Sequence, residues 1–61
     1  MQRMRRKRLK SGLSIMAVAK ELKVSRIAVY LWESGQTLPT AKHLKELAKL
    51  YRCTMDELME D

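Results

Sequence analysis

The sequence predicts an all-α fold of five short helices, and three observations support this prediction. Apolar residues recur at spacings of three and four, which places them on one face of a helix. Serine or threonine, which cap helix N-termini well, precedes several of these stretches. No segment alternates apolar and polar residues in the way that a half-buried strand does. We therefore expect short helices that are joined by tight turns.

The size of the chain allows one domain, which we expect to span residues 1–61, with a core near the lower limit for unaided folding. No apolar run is long enough to span a bilayer, and the basic start is unlike a secretory signal. A single cysteine, Cys53, excludes an internal disulfide framework. From these features we expect a cytoplasmic protein with no membrane partner.

The charge is strongly basic, at +6 with a pI near 9.9, and this balance favours a polyanionic partner such as nucleic acid. Basic residues crowd the beginning of the chain: Arg3, Arg5, Arg6, Lys7, Arg8 and Lys10. Acidic residues crowd the end: Asp56, Glu57, Glu60 and Asp61. Solubility and pairing with helix dipoles would explain the same composition, so charge alone does not identify the partner.

The first helix is predicted from Gln2 to about Ser11, because no helix breaker occurs before Gly12. Its inner stripe would consist of Met1, Met4, Arg8 and Leu9. Arg8 stands where an apolar residue would complete that stripe. A buried arginine needs a carboxylate partner, since an unpaired buried charge is strongly destabilising.

A second helix, from Ile15 to about Leu22, is predicted after the N-cap Ser14. A third begins after Ser25 and ends at Gly35, which enters the left-handed conformation without a Cβ penalty. The predicted inner faces consist of Val18, Ala19 and Leu22 in the second helix and Ala28, Val29 and Trp32 in the third. A linker of about three residues predicts that the two form a helix-turn-helix.

The opposite side of the third helix is both cationic and apolar, where polar residues would be ordinary. Its members are Arg26, Ile27, Tyr30 and Leu31. Such a face indicates contact with a partner, and we interpret the helix, at about 25–33, as a DNA recognition helix. The alternative is a protein-binding patch, which adjoining exposed apolar residues can also mark. For Trp32 the inner position favours a core role over a stacking platform for single strands.

A fourth helix is predicted from about Thr40 to Tyr51, with Pro39 in its first turn. Its inner face would hold Leu44, Leu47, Ala48 and Tyr51, while His43 would be exposed. A last helix through Met59 would begin with a capping box formed by Thr54 and Glu57.

Taken together, these residues resemble the Cro/phage-repressor (XRE) helix-turn-helix family, in one register from about Met4 to Met59. The most specific part is Trp32-Glu33-Ser34-Gly35 followed by Pro39. The other matching residues are Arg8, Gly12-Leu13-Ser14, Val18-Ala19, Leu22, Val24-Ser25, Val29, Leu44, Leu47-Ala48 and Asp56-Glu57-Leu58.

The resemblance implies a compact, five-helix, lambda-repressor-like DNA-binding domain of bacterial, phage or mobile-element origin. It further implies a sequence-specific regulator of transcription, with repression as the expected direction. Such a protein would bind a palindromic or near-palindromic operator on double-stranded DNA as a homodimer, with half-sites about one helical turn apart.

Roles for individual residues also follow from the resemblance. Arg8 would pair with Glu33. Base contacts would come from Arg26, Ile27, Tyr30 and Leu31, and phosphate contacts from Ser14, Ser25, Gly35, Gln36 and Thr37. Arg26 would suit guanine O6 and N7, and Ile27 a thymine methyl.

Some positions depart from the family pattern. Ile15 replaces a frequent glutamine, Lys7 a frequent leucine, and Lys23 a common glycine, which would strain the turn by ~1 kcal/mol if Lys23 is left-handed. Ile27 and Leu31 are apolar where polar residues are frequent, so the operator sequence does not follow from the pattern.

Two other functions remain open at this stage. One is an antitoxin or similar protein-interaction module that uses Ile27, Tyr30 and Leu31, and the other is a non-specific architectural DNA binder. No catalytic set, cofactor site, small-molecule site or metal cluster can be assembled from the sequence, so we expect no enzyme. Cys53 is interpreted as a core residue and not as a reactive thiol.

Overall fold

The computed structural model describes residues 1–59, and Glu60 and Asp61 of the acidic end lie outside the described residues. The described residues form helices only: α1 (Gln2–Lys10), α2 (Ile15–Leu22), α3 (Arg26–Ser34), α4 (Ala41–Leu50) and α5 (Met55–Met59). The predicted all-α fold of five helices is therefore confirmed. Within residues 1–59, no helix is both long and apolar enough to cross a bilayer.

The starts of α2, α3, α4 and α5 follow from hydroxyl caps, whereas α1 begins after Met1 without a side-chain cap. Ser14, Ser25 and Thr40 each accept a hydrogen bond from the backbone N–H three residues further on, at 3.0, 3.1 and 3.2 Å. Thr54 does the same for the N–H of Glu57, at 3.2 Å. Each bond satisfies a donor that the helix itself leaves without a partner.

The helix ends share one backbone motif. After α1, α2, α3 and α4, a residue with positive φ is followed by an N–H that donates back to a carbonyl five residues earlier. This is the Schellman motif. The positive-φ residues are Gly12, Lys23, Gly35 and Arg52. Lys23 and Arg52 adopt this conformation despite their Cβ atoms, at φ 59° and 55°.

Two expectations about the helices were wrong. Pro39 does not lie in the first turn of α4, because the Thr40 hydroxyl caps that helix and places Pro39 before it. Leu9 is 54% exposed and not part of the inner stripe of α1. Arg8 occupies the inward position, and the next residue of a helix is turned about 100° away from it.

The core is formed by one side of every helix. Its buried apolar residues are Met1, Met4, Val18, Ala19, Leu22, Val29, Trp32, Leu44, Leu47, Ala48, Tyr51 and Leu58. The helix-turn-helix pair α2 and α3 packs together, α1 and α4 both contact α5, and α1 also contacts α3. This arrangement holds the inner side of α3 against the core and leaves its outer side uncovered.

Candidate nucleic-acid interface

The outer side of α3 carries exposed apolar and cationic side chains. Ile27 is 69% exposed and Tyr30 56% exposed, and Arg26 at the N-terminus of the helix is also exposed. Leu31 is partly buried. On the inner side, Trp32 is only 5% exposed and packs in the core beside Val29. The two faces of α3 therefore differ as the sequence predicted, with tryptophan inside and tyrosine outside.

The starts of α2 and α3 lie beside this face. Ser14 and Ser25 are both exposed, and each hydroxyl oxygen accepts a capping bond while its own proton stays free to donate. The first N–H groups of a helix and its dipole favour an anion there. The geometry thus suits a phosphate at either helix start.

The segment after α3 is exposed but its backbone is already engaged. Gly35 N donates to Trp32 O at 3.2 Å, and the N–H groups of Gln36 and Thr37 both donate to Leu31 O, at 3.1 and 3.4 Å. Gly35 therefore serves as the stop of α3 and has no further donor. A phosphate beside this loop would be met by the side chains of Gln36 and Thr37.

A buried ion pair fixes α3 to α1. Arg8 Nε lies 2.7 Å from Glu33 Oε2, and Arg8 Nη2 lies 3.1 Å from Glu33 Oε1, so the pairing is bidentate. Arg8 Nη1 also donates to the carbonyl of Leu13, at 3.0 Å. The hydrogen bond to Glu33 raises the pKa of the Arg8 guanidinium above its usual value. One side chain thereby joins α1, the residue before the cap of α2, and the end of α3.

His43 does not occupy the exposed position that the sequence suggested. It is partly buried on the first turn of α4, and its ring centre lies 5.3 Å from that of Trp32 with the planes tilted by 39°. The spacing of four between His43 and Leu47 was the signal for this orientation. His43 therefore packs against Trp32 on the inner side of α3.

Other residues behave as packing residues. Cys53 is partly buried against the core, and burial raises the pKa of its thiol, which opposes a reactive role.

An ion pair that the sequence did not predict joins α1 to α5. The Lys7 ammonium lies 3.0 Å from the Glu57 carboxylate.

Comparison with known proteins places these features in a family. A helix-turn-helix family model matches residues 4–58. The HTH-type transcriptional regulator DicA of Escherichia coli (strain K12) is 42% identical over 52 residues, which are 85% of this chain and 37% of DicA. The HTH-type transcriptional activator BcrR of Enterococcus faecalis is 34% identical over 58 residues, which are 95% of this chain and 28% of BcrR. The chain thus spans little more than a third of these relatives at most, and no solved structure gave a significant match.

Proposed function

The chain belongs to the XRE-type helix-turn-helix family, and on that basis we propose that it is a sequence-specific regulator of transcription that binds double-stranded DNA. The observation that carries the proposal is the exposed outer face of α3. Arg26, Ile27 and Tyr30 project from a helix whose other side is held by Trp32 and by the Arg8–Glu33 ion pair. A rigid helix with a free outer face is what major-groove recognition requires.

Base recognition would involve the first half of α3. The guanidinium of Arg26 can donate two parallel hydrogen bonds to guanine O6 and N7, and Ile27 can pack on a thymine methyl. Tyr30 and Leu31 lie one turn further along the same side and complete the reading surface. These contacts would carry the sequence preference, since phosphate contacts carry none directly.

Contacts with the phosphate backbone of the DNA would supply most of the affinity. Ser14 and Ser25 offer hydroxyl protons and helix N-termini to phosphates, and Gln36 and Thr37 offer side chains from the loop after α3. The net charge of +6 adds a long-range attraction that falls with salt.

The operator we propose is palindromic or nearly so, bound by two copies of the chain. Because α3 has only nine residues, one copy reads few base pairs, and a two-fold pair doubles the sequence information. We propose repression as the outcome, because occupancy of a promoter by itself blocks transcription, whereas activation needs a further contact. The site of action would be the cytoplasm, where the DNA of a bacterial host lies.

A second candidate function uses the same face for a protein partner, as in an antitoxin. The observation in its favour is the exposure of Ile27 and of the Tyr30 ring, since Ile27 is apolar where a groove-reading helix often carries a polar group. Binding that is insensitive to salt and restricted to one protein would distinguish it from the DNA function.

Selection of bound duplexes from a random pool tests the proposal. We expect the recovered duplexes to share a motif made of two inverted half-sites about one helical turn apart, and their affinity to fall steeply with salt. Equal binding to selected and unselected duplexes would indicate an architectural role. Absence of duplex binding would refute the proposal.

A further inference from the structure

A groove of about 420 Å³ opens between the first half of α1 and the outer side of α3. Gln2 and Arg5 line it from α1, and Tyr30 and Ser34 line it from α3. These four side chains all lie outside the core. The buried Arg8–Glu33 ion pair also contributes to the surface of the groove.

The charge of the groove is set by Arg5. The Glu33 carboxylate is neutralised by its bidentate bonds to Arg8, so the pair adds little net charge. Arg5 is exposed, and it forms no ion pair with a carboxylate of residues 1–59. Tyr30 adds an exposed hydroxyl, and Gln2 adds an amide that can donate. Ser34 is not a donor here, since its hydroxyl already donates to Leu31 O at 3.1 Å.

The groove is continuous with the surface proposed to bind DNA. Ile15, the first residue of α2, lines it, and this residue directly follows the cap Ser14. Tyr30 belongs both to the groove and to the outer face of α3. A strand whose phosphate lies at the start of α2 would therefore pass along this groove.

We infer that the groove binds a backbone phosphodiester of the duplex that α3 reads. Arg5 provides the cation and the Gln2 amide provides a neutral donor, while Tyr30, which belongs to the proposed reading surface, borders the groove on the α3 side. The inference rests on the proposed DNA-binding function and extends the interface to α1. A phosphate held there would fix the angle at which α3 enters the major groove, without reading a base.

Arg6 offers a matched control for Arg5. The two arginines are neighbours on α1 and both are exposed, but Arg6 lies on another side of the helix, beside Arg3, Lys7 and Lys10. Arg5→Gln and Arg6→Gln remove the same charge from nearly the same place in the sequence. Any difference between the two variants therefore reports the groove and not the overall charge.

The test measures the affinity of a duplex recovered by selection at several salt concentrations. For Arg5→Gln we expect the slope of log K against log salt to become shallower by about 0.9 for each phosphate that Arg5 neutralises in the wild type, with the base preference unchanged. Arg6→Gln should leave the slope close to that of the wild type, and Arg5→Lys should restore most of it. Circular dichroism would verify that each variant is folded.

Two results would overturn the inference alone. Equal slopes for Arg5→Gln and Arg6→Gln would show that Arg5 acts only at long range. An altered preference at one base pair for Arg5→Gln would place Arg5 on a base. If the wild type bound no duplex, the proposed function and this inference would both be refuted.

Discussion

Arg8 on α1 and Glu33 at the end of α3 form a bidentate ion pair inside the protein, with N···O distances of 2.7 and 3.1 Å. The residues are 25 positions apart in the chain, and both are buried. Because the third donor of Arg8 binds Leu13 O just before α2, the same guanidinium holds the helix-turn-helix against α1. The orientation of the proposed recognition helix therefore depends on this buried ion pair as well as on the packing of Trp32 in the core.

Replacing one member of this pair should unfold a large fraction of the molecules. Arg8→Met leaves the Glu33 carboxylate buried without a partner, at an expected cost of about 3–5 kcal/mol. That cost is close to the whole stability of so short a chain, at roughly 0.05–0.15 kcal/mol per residue. Urea unfolding followed by circular dichroism measures the loss. The double variant Arg8→Met with Glu33→Leu should recover most of the stability, and an Arg8→Met protein as stable as the wild type would contradict the account.

The left-handed conformation of Lys23 predicts a stabilising substitution. Lys23→Gly should raise the free energy of unfolding by about 0.5–1 kcal/mol, because glycine removes the Cβ penalty but loses more backbone entropy. Lys20→Gly is the matched control, since it removes the same charge from within α2 and should cost ~1 kcal/mol. Thermal unfolding distinguishes the two. Equal destabilisation by both would show that residue 23 is not strained.

The Tyr51 hydroxyl is buried, and no hydrogen-bond partner for it lies within residues 1–59. Tyr51→Phe should therefore keep or raise the stability at neutral pH, by up to about 1 kcal/mol, since an unsatisfied buried hydroxyl is itself costly. Denaturant unfolding at pH 7 measures this difference. Marked destabilisation would mean that the hydroxyl has a partner in solution.

The raised pKa of Tyr51 also predicts that the stability of the protein falls in alkaline solution. Burial raises the pKa of this phenol above its ordinary value near 10, so above that pH the unfolded chain loses a proton that the folded chain keeps. Below pH ~10 the raised pKa of Tyr51 therefore leaves the free energy of unfolding at its full value. As the pH rises from there toward the folded pKa, the free energy of unfolding falls. The decline should be shallower in Tyr51→Phe than in the wild type.

The contact between α1 and α5 can be followed through one carboxyl group. Lys7 is the main cause that lowers the pKa of Glu57, and the backbone N–H of Thr54 adds to the effect. Lys7→Met should return this pKa toward its ordinary value, whereas Lys10→Met, on the same helix, should not. An NMR pH titration of the Glu57 carboxyl measures both. Because the pKa is lowered, the contribution of the pair is present above the ordinary pKa and is lost as the pH falls through the folded value.

Local signals in the sequence predicted much of the fold. The caps at Ser14, Ser25 and Gly35 act within one turn of the chain, and the spacing of the apolar residues depends only on helix geometry. Non-local contacts were harder to predict. A buried Arg8 required a carboxylate, but only the family resemblance indicated Glu33, and nothing indicated the pairing of Lys7 with Glu57. His43 was misplaced because its neighbour, Trp32, lies on another helix.

In the candidate interface, too, the features set by local sequence could be predicted, and those set by the packing of helices could not. The opposed faces of α3 follow from periodicity, so Trp32 was predicted inside and Tyr30 outside. The groove that includes Arg5 depends on how α1 lies against α3, which no local pattern specifies. Its polar residues therefore became visible only in three dimensions.

Arg26→Ala provides the most direct test of the account. The affinities of the wild type and of this variant would be measured for a selected duplex and for each of its single base-pair substitutions. We expect Arg26→Ala to lose about 1–3 kcal/mol of discrimination at one base pair in each half-site, with the other preferences kept. A uniform loss across all duplexes would place Arg26 on a phosphate, and it would contradict the claim that α3 reads sequence from the major groove.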